Sequence, residues 1–192
     1  MKQDTQQKIL TAASALFLDG GINALSVRAI AHGAGMSTIG IYSHFKGKQG
    51  IIDALYQEGF ELLTKEIRAA RGNTPAEKVI DACERMLTFS EKHTAHYRLI
   101  FSAKPKEFSP SAEAIEKADQ AFSALAELSD ALIKKAHSPA QKQEIALQIW
   151  ALTQGYASFN QHEMCERIVW RNWKESALQA IRLHVYALAA TR

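Results

Sequence analysis

The sequence predicts an all-α protein, with helices from one end of its 192 residues to the other. Apolar residues recur at the three- and four-residue spacing of a helix face, and capping residues mark helix starts. No stretch alternates apolar and polar residues as a half-buried strand does. We therefore expect about nine helices, three in an N-terminal domain and the rest in a helical body.

The first helix should end at Asp19-Gly20-Gly21, because glycine pairs stop a helical run. Its buried face is predicted by residues that recur at helical spacing: Ile9, Ala12, Ala13, Leu16 and Phe17.

The stretch from Leu25 to Lys46 has the pattern of a helix-turn-helix motif. Gly35 can take the tight turn and Ser37 can cap the second helix. Apolar residues give the first short helix its buried side: Leu25, Val27, Ile30 and Ala31. Met36, Ile41 and Phe45 should face inward on the second helix, which leaves an outer side formed by Thr38, Ile39, Tyr42, Ser43 and His44.

The body should follow as one long helix and then several others. The long helix begins after Gly47-Lys48-Gln49-Gly50, carries apolar residues from Ile51 to Ile67, and is closed by Arg71-Gly72-Asn73. Capping boxes at Thr74–Glu77 and Ser138–Gln141 mark two further helix starts. Between them we expect a short helix near Tyr97–Phe101, a loop bracketed by Lys104-Pro105 and Ser109-Pro110, and a helix from about Ile115 to Leu132. Two final helices should span about Ile145–Phe159 and Trp173–Leu188.

Composition fits a small packed protein with a weakly basic N-terminal segment. Hydrophobic residues make up 47% of the chain, and residues 1–50 carry five basic and two acidic side chains, which accounts for the whole net charge of +3. Cys83 and Cys165 lie far apart, the chain opens without a signal sequence, and no apolar run approaches the roughly 18 to 20 residues that cross a bilayer. We expect a soluble cytoplasmic protein without a disulfide or membrane contact.

The sequence contains no motif typical of a catalytic site. It contains no glycine-rich phosphate loop, no nucleophile elbow and no paired-carboxylate pattern, so we do not expect an enzyme. Two pairs at helical spacing, His93 with His96 and His162 with Cys165, could bind a metal, but no second closely spaced ligand set follows. Chance placement is the better explanation, and we expect neither a metal nor a cofactor.

The motif resembles the N-terminal domain of the tetracycline-repressor (TetR) family. The resemblance covers residues 6 to 60 and is carried by residues in matching register: Arg28, Ala31, Gly35, Ser37, Ile41, Tyr42, Phe45 and Lys48. Two departures fall on the recognition helix, at Thr38 and at Ile39-Gly40. The resemblance implies a DNA-binding domain over residues 1–46, a ligand-binding and dimerisation domain over 47–192, and pairing of the last two helices with those of a second subunit.

Both chemistry and resemblance indicate which residues would contact DNA. Phosphate contacts are expected from donors at the rim of the motif and at helix N-termini: Ser26, Arg28, Ser37, Tyr42, His44 and Lys48. Base-edge contacts are expected from Thr38, Ile39 and Gly40, since threonine can hydrogen-bond, isoleucine can pack on a thymine methyl and glycine permits close approach. One alternative is a plain surface helix with an exposed tyrosine and histidine. Alternatively, His44 could be a core histidine satisfied by the main chain, and Tyr42 could serve chiefly for packing.

The helical body offers a candidate site for a small, largely apolar effector, lined by Tyr97, Arg98, Phe101, Phe122, Trp150, Gln154 and Phe159. Core packing would explain the same aromatic residues. Arg98 is informative only if it is buried, because a buried guanidinium needs an anionic partner.

These observations predict a homodimeric one-component transcriptional repressor that binds a palindromic operator and is released by a small molecule. Repression and release are implied by the resemblance alone. The alternative is a helical protein-interaction module without specific DNA binding. Salt-sensitive retention on DNA would separate the two.

Overall fold

The computed structural model describes residues 2–102, 108–133, 138–162 and 172–190. Within these ranges the chain forms nine α-helices and no strand, which confirms the all-α prediction. Lys104-Pro105, Cys165 and Trp170 lie outside the described residues. The helices are α1 (Lys2–Ala24), α2 (Val27–Gly33), α3 (Thr38–His44), α4 (Gly47–Arg68), α5 (Pro75–Lys92), α6 (Thr94–Ser102), α7 (Ala112–Asp130), α8 (Pro139–Asn160) and α9 (Trp173–Ala190).

Helix α1 is interrupted where the sequence predicts its end. Gly20 and Gly21 both leave the helical conformation, and Gly21 has a φ of 64°. A positive φ is strained for residues with a Cβ atom, so glycine suits this position. One helical turn follows the break before the chain enters the helix-turn-helix motif.

Two capping boxes start α5 and α8, as predicted. At α5 the Glu77 N–H donates to Thr74 Oγ1 at 3.2 Å, and Glu77 Oε2 accepts from the Thr74 and Asn73 N–H groups at 3.3 and 2.7 Å. At α8 the side chain and main chain of Ser138 and Gln141 bond reciprocally. Such boxes satisfy amide groups that the first helical turn would otherwise leave without partners.

The chain divides into two compact units. The first contains residues 1–61 and 93–118, and the second contains 62–92 and 119–192. Each unit therefore combines segments that are distant in sequence, and α4 and α7 each contribute to both.

The first unit is built around the helix-turn-helix motif. Helix α1 packs on α2 and α6, and α2 packs on α3. The hydrophobic core extends beyond the motif, since it includes Leu99 of α6 and Phe108 in addition to Ile9, Leu10, Ala13, Ile22, Leu25, Ile30, Ala31, Ile41, Ile51, Ile52 and Leu55.

A half-buried polar junction joins α1, α4 and α6 inside this unit. Glu58 Oε1 accepts from Gln7 Nε2 at 3.1 Å, and Glu58 Oε2 lies 2.9 Å from His96 Nε2. The hydrogen bond with His96 holds the pKa of Glu58 below its usual value, although burial acts in the opposite direction. The helices approach closely here, because a Cβ atom on Gly59 would lie 3.0 Å from Ile100 Cγ2.

The second unit packs α9 against α5 and α8, and α5 against α8. Three of its buried hydroxyl groups are satisfied locally: Ser90, Ser129 and Thr153 each donate to a main-chain carbonyl of their own helix, at 2.7 to 2.8 Å. Burial raises the pKa of the Cys83 thiol to about 12 despite its hydrogen bond with Thr153. Cys83 is therefore a packing residue rather than a reactive thiol.

Candidate nucleic-acid interface

The helix-turn-helix geometry follows from two serine caps and one glycine. Ser26 Oγ accepts from the Ala29 N–H at 3.1 Å at the start of α2, and Ser37 Oγ accepts from the Gly40 N–H at 3.1 Å at the start of α3. Gly35 takes a φ of 66° in the turn between them. These are the capping and turn roles that the sequence predicts.

Helix α3 has one buried side and one exposed side. Ile41 is completely buried, and Met36 and Phe45 pack partly buried on the same core. Ile39 is 80% exposed and Tyr42 is 63% exposed, and Thr38 and Ser43 are also exposed. Ile39 and Tyr42 are three residues apart and therefore share one exposed face of the helix.

His44 is less exposed than its predicted place on the outer side implies. Its side chain is half-buried, and its Nδ1 atom is buried without a hydrogen-bond partner among the described residues. A buried Nδ1 cannot reach a phosphate, which leaves Nε2 as the ring nitrogen for such a contact.

Gly47 shapes the surface beside α3 and was not among the predicted site residues. Its φ is 79°, and a Cβ atom there would lie 3.3 Å from Tyr42 Cε1. The absence of a side chain thus lets the Tyr42 ring lie against the main chain at the start of α4. The sequence signal was available, because glycine follows the second helix of the motif directly after Lys46.

Lys48 has a structural contact that the sequence does not reveal. Its Nζ donates to the Ile22 main-chain oxygen at 2.8 Å and so joins α4 to the end of α1. An ammonium group has three donors, so two remain for a phosphate. Lys46, by contrast, is exposed and has no polar partner in the described part of the chain, yet sequence reasoning did not include it in the site.

The charged side chains within the motif's own sequence have one sign. No acidic residue lies between Asp19 and Asp53, whereas Arg28, Lys46 and Lys48 fall in this stretch. Arg28 is exposed on α2. A surface with these properties attracts phosphate groups.

The predicted effector residues divide between the two units. In the first unit, Tyr97 is buried and stacks at 5.1 Å against Phe101, whose ring also lies 5.9 Å from Phe60. Arg98 is exposed, so water can solvate its guanidinium and the residue does not indicate an anionic ligand. In the second unit, Phe122 and Trp150 form an edge-to-face pair at 5.8 Å.

Helices α8 and α9 present exposed apolar residues within the second unit. Gln154 is half-buried, whereas Phe159 is exposed and borders an open groove of about 340 Å³. Leu183 is 75% exposed on α9, while Ala177 is completely buried in the unit's own core. The groove is lined by Ala151, Leu152, Gly155, Tyr156 and Phe159, and the other large exposed apolar residues of these helices are Leu147 and Tyr186.

Neither of the other site types considered from sequence finds support among the described residues. No group of three or more histidine, cysteine, aspartate or glutamate side chains there could hold a metal ion. No helix in the described ranges is both long enough and apolar enough to cross a bilayer.

Comparisons with known proteins agree with this architecture. Residues 9–55 match the family model described as bacterial regulatory proteins, tetR family, and residues 79–180 match the tetracyclin repressor-like C-terminal domain. The curated relatives include "Probable HTH-type transcriptional regulator YttP" of Bacillus subtilis, which is 30% identical over 105 residues, or 53% of this chain and 51% of that protein. The "HTH-type transcriptional activator FasR" of Mycolicibacterium smegmatis is 31% identical over 102 residues, or 52% of this chain and 47% of that protein.

The chain spans about half the length of these curated relatives. Among solved structures, a regulatory protein of the tetR family from Rhodococcus RHA1 superposes with a TM-score of 0.72 at 18% identity, over 96% of both chains, which shows a shared fold. The family models together cover most of the sequence, and the first of them spans the helix-turn-helix motif. The chain therefore belongs to the TetR family of bacterial regulatory proteins, which are DNA-binding transcriptional regulators and not enzymes.

Proposed function

We propose that the chain is a homodimeric repressor that binds a palindromic operator through α3 and is released by a small, largely apolar effector. In this proposal residues 1–46 form the DNA-reading domain and residues 47–192 the effector and dimerisation domain, and the regulator acts in the cytoplasm, where its DNA lies. The observation that carries it is the 80% exposed Ile39 at the start of a capped helix, on a motif without acidic residues.

Base reading is assigned to the first turn of α3. Thr38 and Ile39 are exposed there, and Gly40 adds no side chain between the helix and a base edge. Ile39 can cover a thymine methyl group, which would remove apolar surface of both partners from water. Thr38 can donate to or accept from a neighbouring base.

Phosphate contacts are assigned to the donors around this turn. The Ser26 and Ser37 hydroxyl oxygens already accept from their own helices, but each O–H remains able to donate to a phosphate. Arg28, Tyr42, His44 through Nε2, and Lys48 through its remaining donors belong to the same set, and the exposed Lys46 adds a further donor. Contacts of this kind fix the position of the protein on the duplex without reading sequence.

Selection of bound sequences from a random DNA pool tests DNA reading and dimer symmetry together. We expect a palindrome, because a two-fold symmetric dimer presents the same recognition helix to each half-site. Ile39→Ala should then relax the preference at particular base pairs, at a cost of about 1 to 3 kcal/mol for each lost contact.

Ile115→Ala is a matched control for this substitution, since Ile115 is an exposed isoleucine of α7 outside the motif. It should leave sequence preference unchanged. Equal losses on selected and random DNA for Ile39→Ala would argue against base reading by this residue.

The dimer is proposed to form through α8 and α9. Leu147, Leu183 and Tyr186 expose large apolar surfaces on these helices, and the groove beside Gly155 offers a recess for a protruding side chain. Exposed apolar residues of this number are typical of a surface that is covered in the functional assembly. Pairing of two helices from each subunit would bury them in a four-helix bundle.

The effector site is proposed around the Phe122–Trp150 pair, with Gln154 one turn further along α8 as a polar contact. Phe159 of the same unit stays in the proposed set, although it is exposed. Tyr97, Arg98 and Phe101 remain a separate prediction within the first unit, where Arg98 is exposed. Coupling between effector and operator must be reciprocal, so each should weaken binding of the other by the same factor, commonly about 5- to 150-fold.

Titration of candidate apolar ligands with and without operator DNA tests this coupling. Trp150 should report binding by fluorescence, and Trp150→Phe identifies its share of a signal that also contains Trp170 and Trp173. Equal ligand affinity in both conditions would contradict release by the effector. In vitro transcription from a promoter that contains the selected sequence then distinguishes repression from activation.

A further inference from the structure

We propose that Asp53 of α4 and the segment Phe108–Ser111, called here the anchor segment, are positioning residues for DNA binding. They lie outside the helix-turn-helix motif and fix the start of α4, which directly follows the recognition helix. This inference rests on the proposed operator binding and names a part of the molecule on which that binding depends.

The apolar part of the anchor is Phe108. Its side chain is only 5% exposed and belongs to the same core as Ile51, Ile52 and Leu55 of α4. Its ring lies 5.4 Å from that of Tyr56. Ile41 of the recognition helix also contributes to this core, so Phe108 and α3 are held by one continuous set of apolar contacts.

The polar part is a two-point contact between Asp53 and Ser111. Asp53 Oδ1 accepts from the Ser111 N–H at 2.8 Å, and Asp53 Oδ2 accepts from the Ser111 hydroxyl at 2.7 Å. Ser111 Oγ in turn accepts from the Ala114 N–H at 3.1 Å, which places Ser111 as the cap of α7. A carboxylate at this position also faces the positive end of the α7 dipole.

Residues of one side of α4 complete the attachment. Gln49 Nε2 donates to the Ser109 main-chain oxygen at 3.1 Å, and Gln57 Nε2 donates to Asp53 Oδ2 at 2.9 Å. Gln49, Asp53 and Gln57 follow one another at intervals of four residues and therefore share one face of the helix. Gln49 and Asp53 thus bond the first two turns of α4 to the anchor segment, and Gln57 supports the Asp53 carboxylate.

The Asp53–Ser111 contacts are exposed, and exposed polar contacts contribute little net stability. Bidentate geometry does restrict orientation, however. We therefore expect these bonds to act on the orientation of α4, and through the shared core on α3, more than on the free energy of unfolding.

The test measures the affinity of variants of the full chain for a fluorescent DNA duplex that carries the sequence selected by the unsubstituted protein. Asp53→Asn should weaken binding about tenfold, while thermal unfolding monitored by circular dichroism changes little. Ser111→Ala should weaken binding by a similar factor and should also lower the melting temperature, because it removes the cap of α7. The Asp53→Asn variant distinguishes a positioning role from a purely electrostatic effect, because loss of a negative charge near DNA would by itself strengthen binding. Ser111→Thr retains the hydroxyl and should restore affinity.

Ser109→Ala is the matched control, because Gln49 bonds to the Ser109 main-chain oxygen and this contact survives the substitution. It should bind the duplex as the unvaried chain does. Unchanged or tighter binding by Asp53→Asn and Ser111→Ala, or an equal loss in Ser109→Ala, would overturn the positioning role alone. Failure of the unvaried chain to select any sequence would instead refute the proposed function and this inference with it.

Discussion

Replacement of Lys48 by Met separates a structural role from a DNA-binding role in one residue. Methionine keeps most of the apolar stem but removes the ammonium group that donates to the Ile22 oxygen at 2.8 Å. A hydrogen bond to a charged group contributes about 1.5 to 3 kcal/mol. The Ile22 oxygen also accepts from the Leu25 N–H at 3.2 Å, so it is not left without a partner.

The Leu25 N–H still bonds to the Ile22 oxygen in this variant, and Lys48 is only half-buried. The lower part of the range for a hydrogen bond to a charged group therefore applies. We expect the free energy of unfolding, measured by urea denaturation, to fall by about 1.5 to 2 kcal/mol. DNA binding should weaken on all sequences alike, since a phosphate contact carries no base preference.

Lys46→Met provides the control, since Lys46 lies two residues earlier and is exposed. It should leave the unfolding free energy unchanged and reduce the slope of log affinity against log salt by about 0.9 for one lost phosphate contact. If Lys48→Met leaves the unfolding free energy unchanged as well, then the bond to Ile22 contributes nothing and the reasoning is wrong.

Three further predictions address other parts of the chain. Gly47→Ala should cost about 1 to 2 kcal/mol of unfolding free energy, because Gly47 has a positive φ and a Cβ atom there would press on the Tyr42 ring. Gly50→Ala should cost none, because a Cβ atom there meets only ordinary contacts. Thermal unfolding of the two variants tests the difference. Leu183→Glu should convert the dimer to monomer in sedimentation, and the equally apolar exposed Leu18→Glu should not. Because the pKa of Glu58 is lowered on folding, its ionised form stabilises the protein fully above the unfolded-state pKa, and this stability is lost as pH falls through the folded-state pKa. Glu58→Gln should therefore lose less unfolding free energy than the unsubstituted protein between about pH 5 and 3. A parallel loss in both proteins would contradict this.

Local features of the fold were predictable because local chemistry determines them. Ser37 caps α3 and Gly35 takes a positive φ, and both roles depend only on neighbouring main-chain groups. The capping boxes at Thr74 and Ser138 have the same basis. These residues could be assigned without knowledge of the tertiary structure.

Contacts between distant segments were not predictable in the same way. The bond of Lys48 to Ile22 depends on where α1 ends in space, and no periodicity encodes that position. Similarly, the last helix was expected to pair with a second subunit, but the sequence did not indicate which side would do so: Ala177 is buried in its own unit while Leu183 is exposed. A helix with two apolar stripes does not reveal from sequence which one faces its own chain.

The place of Phe108 in the core of the first unit has a consequence for synthesis of the protein. Leu55 and Phe108 share that core, but more than fifty residues separate them in the chain. At about 5 to 20 residues per second, the ribosome needs about 3 to 10 s to add this interval. During that time the nascent helix-turn-helix motif lacks part of its core, so a newly made chain gains its finished DNA-reading surface only after much of its length has been translated.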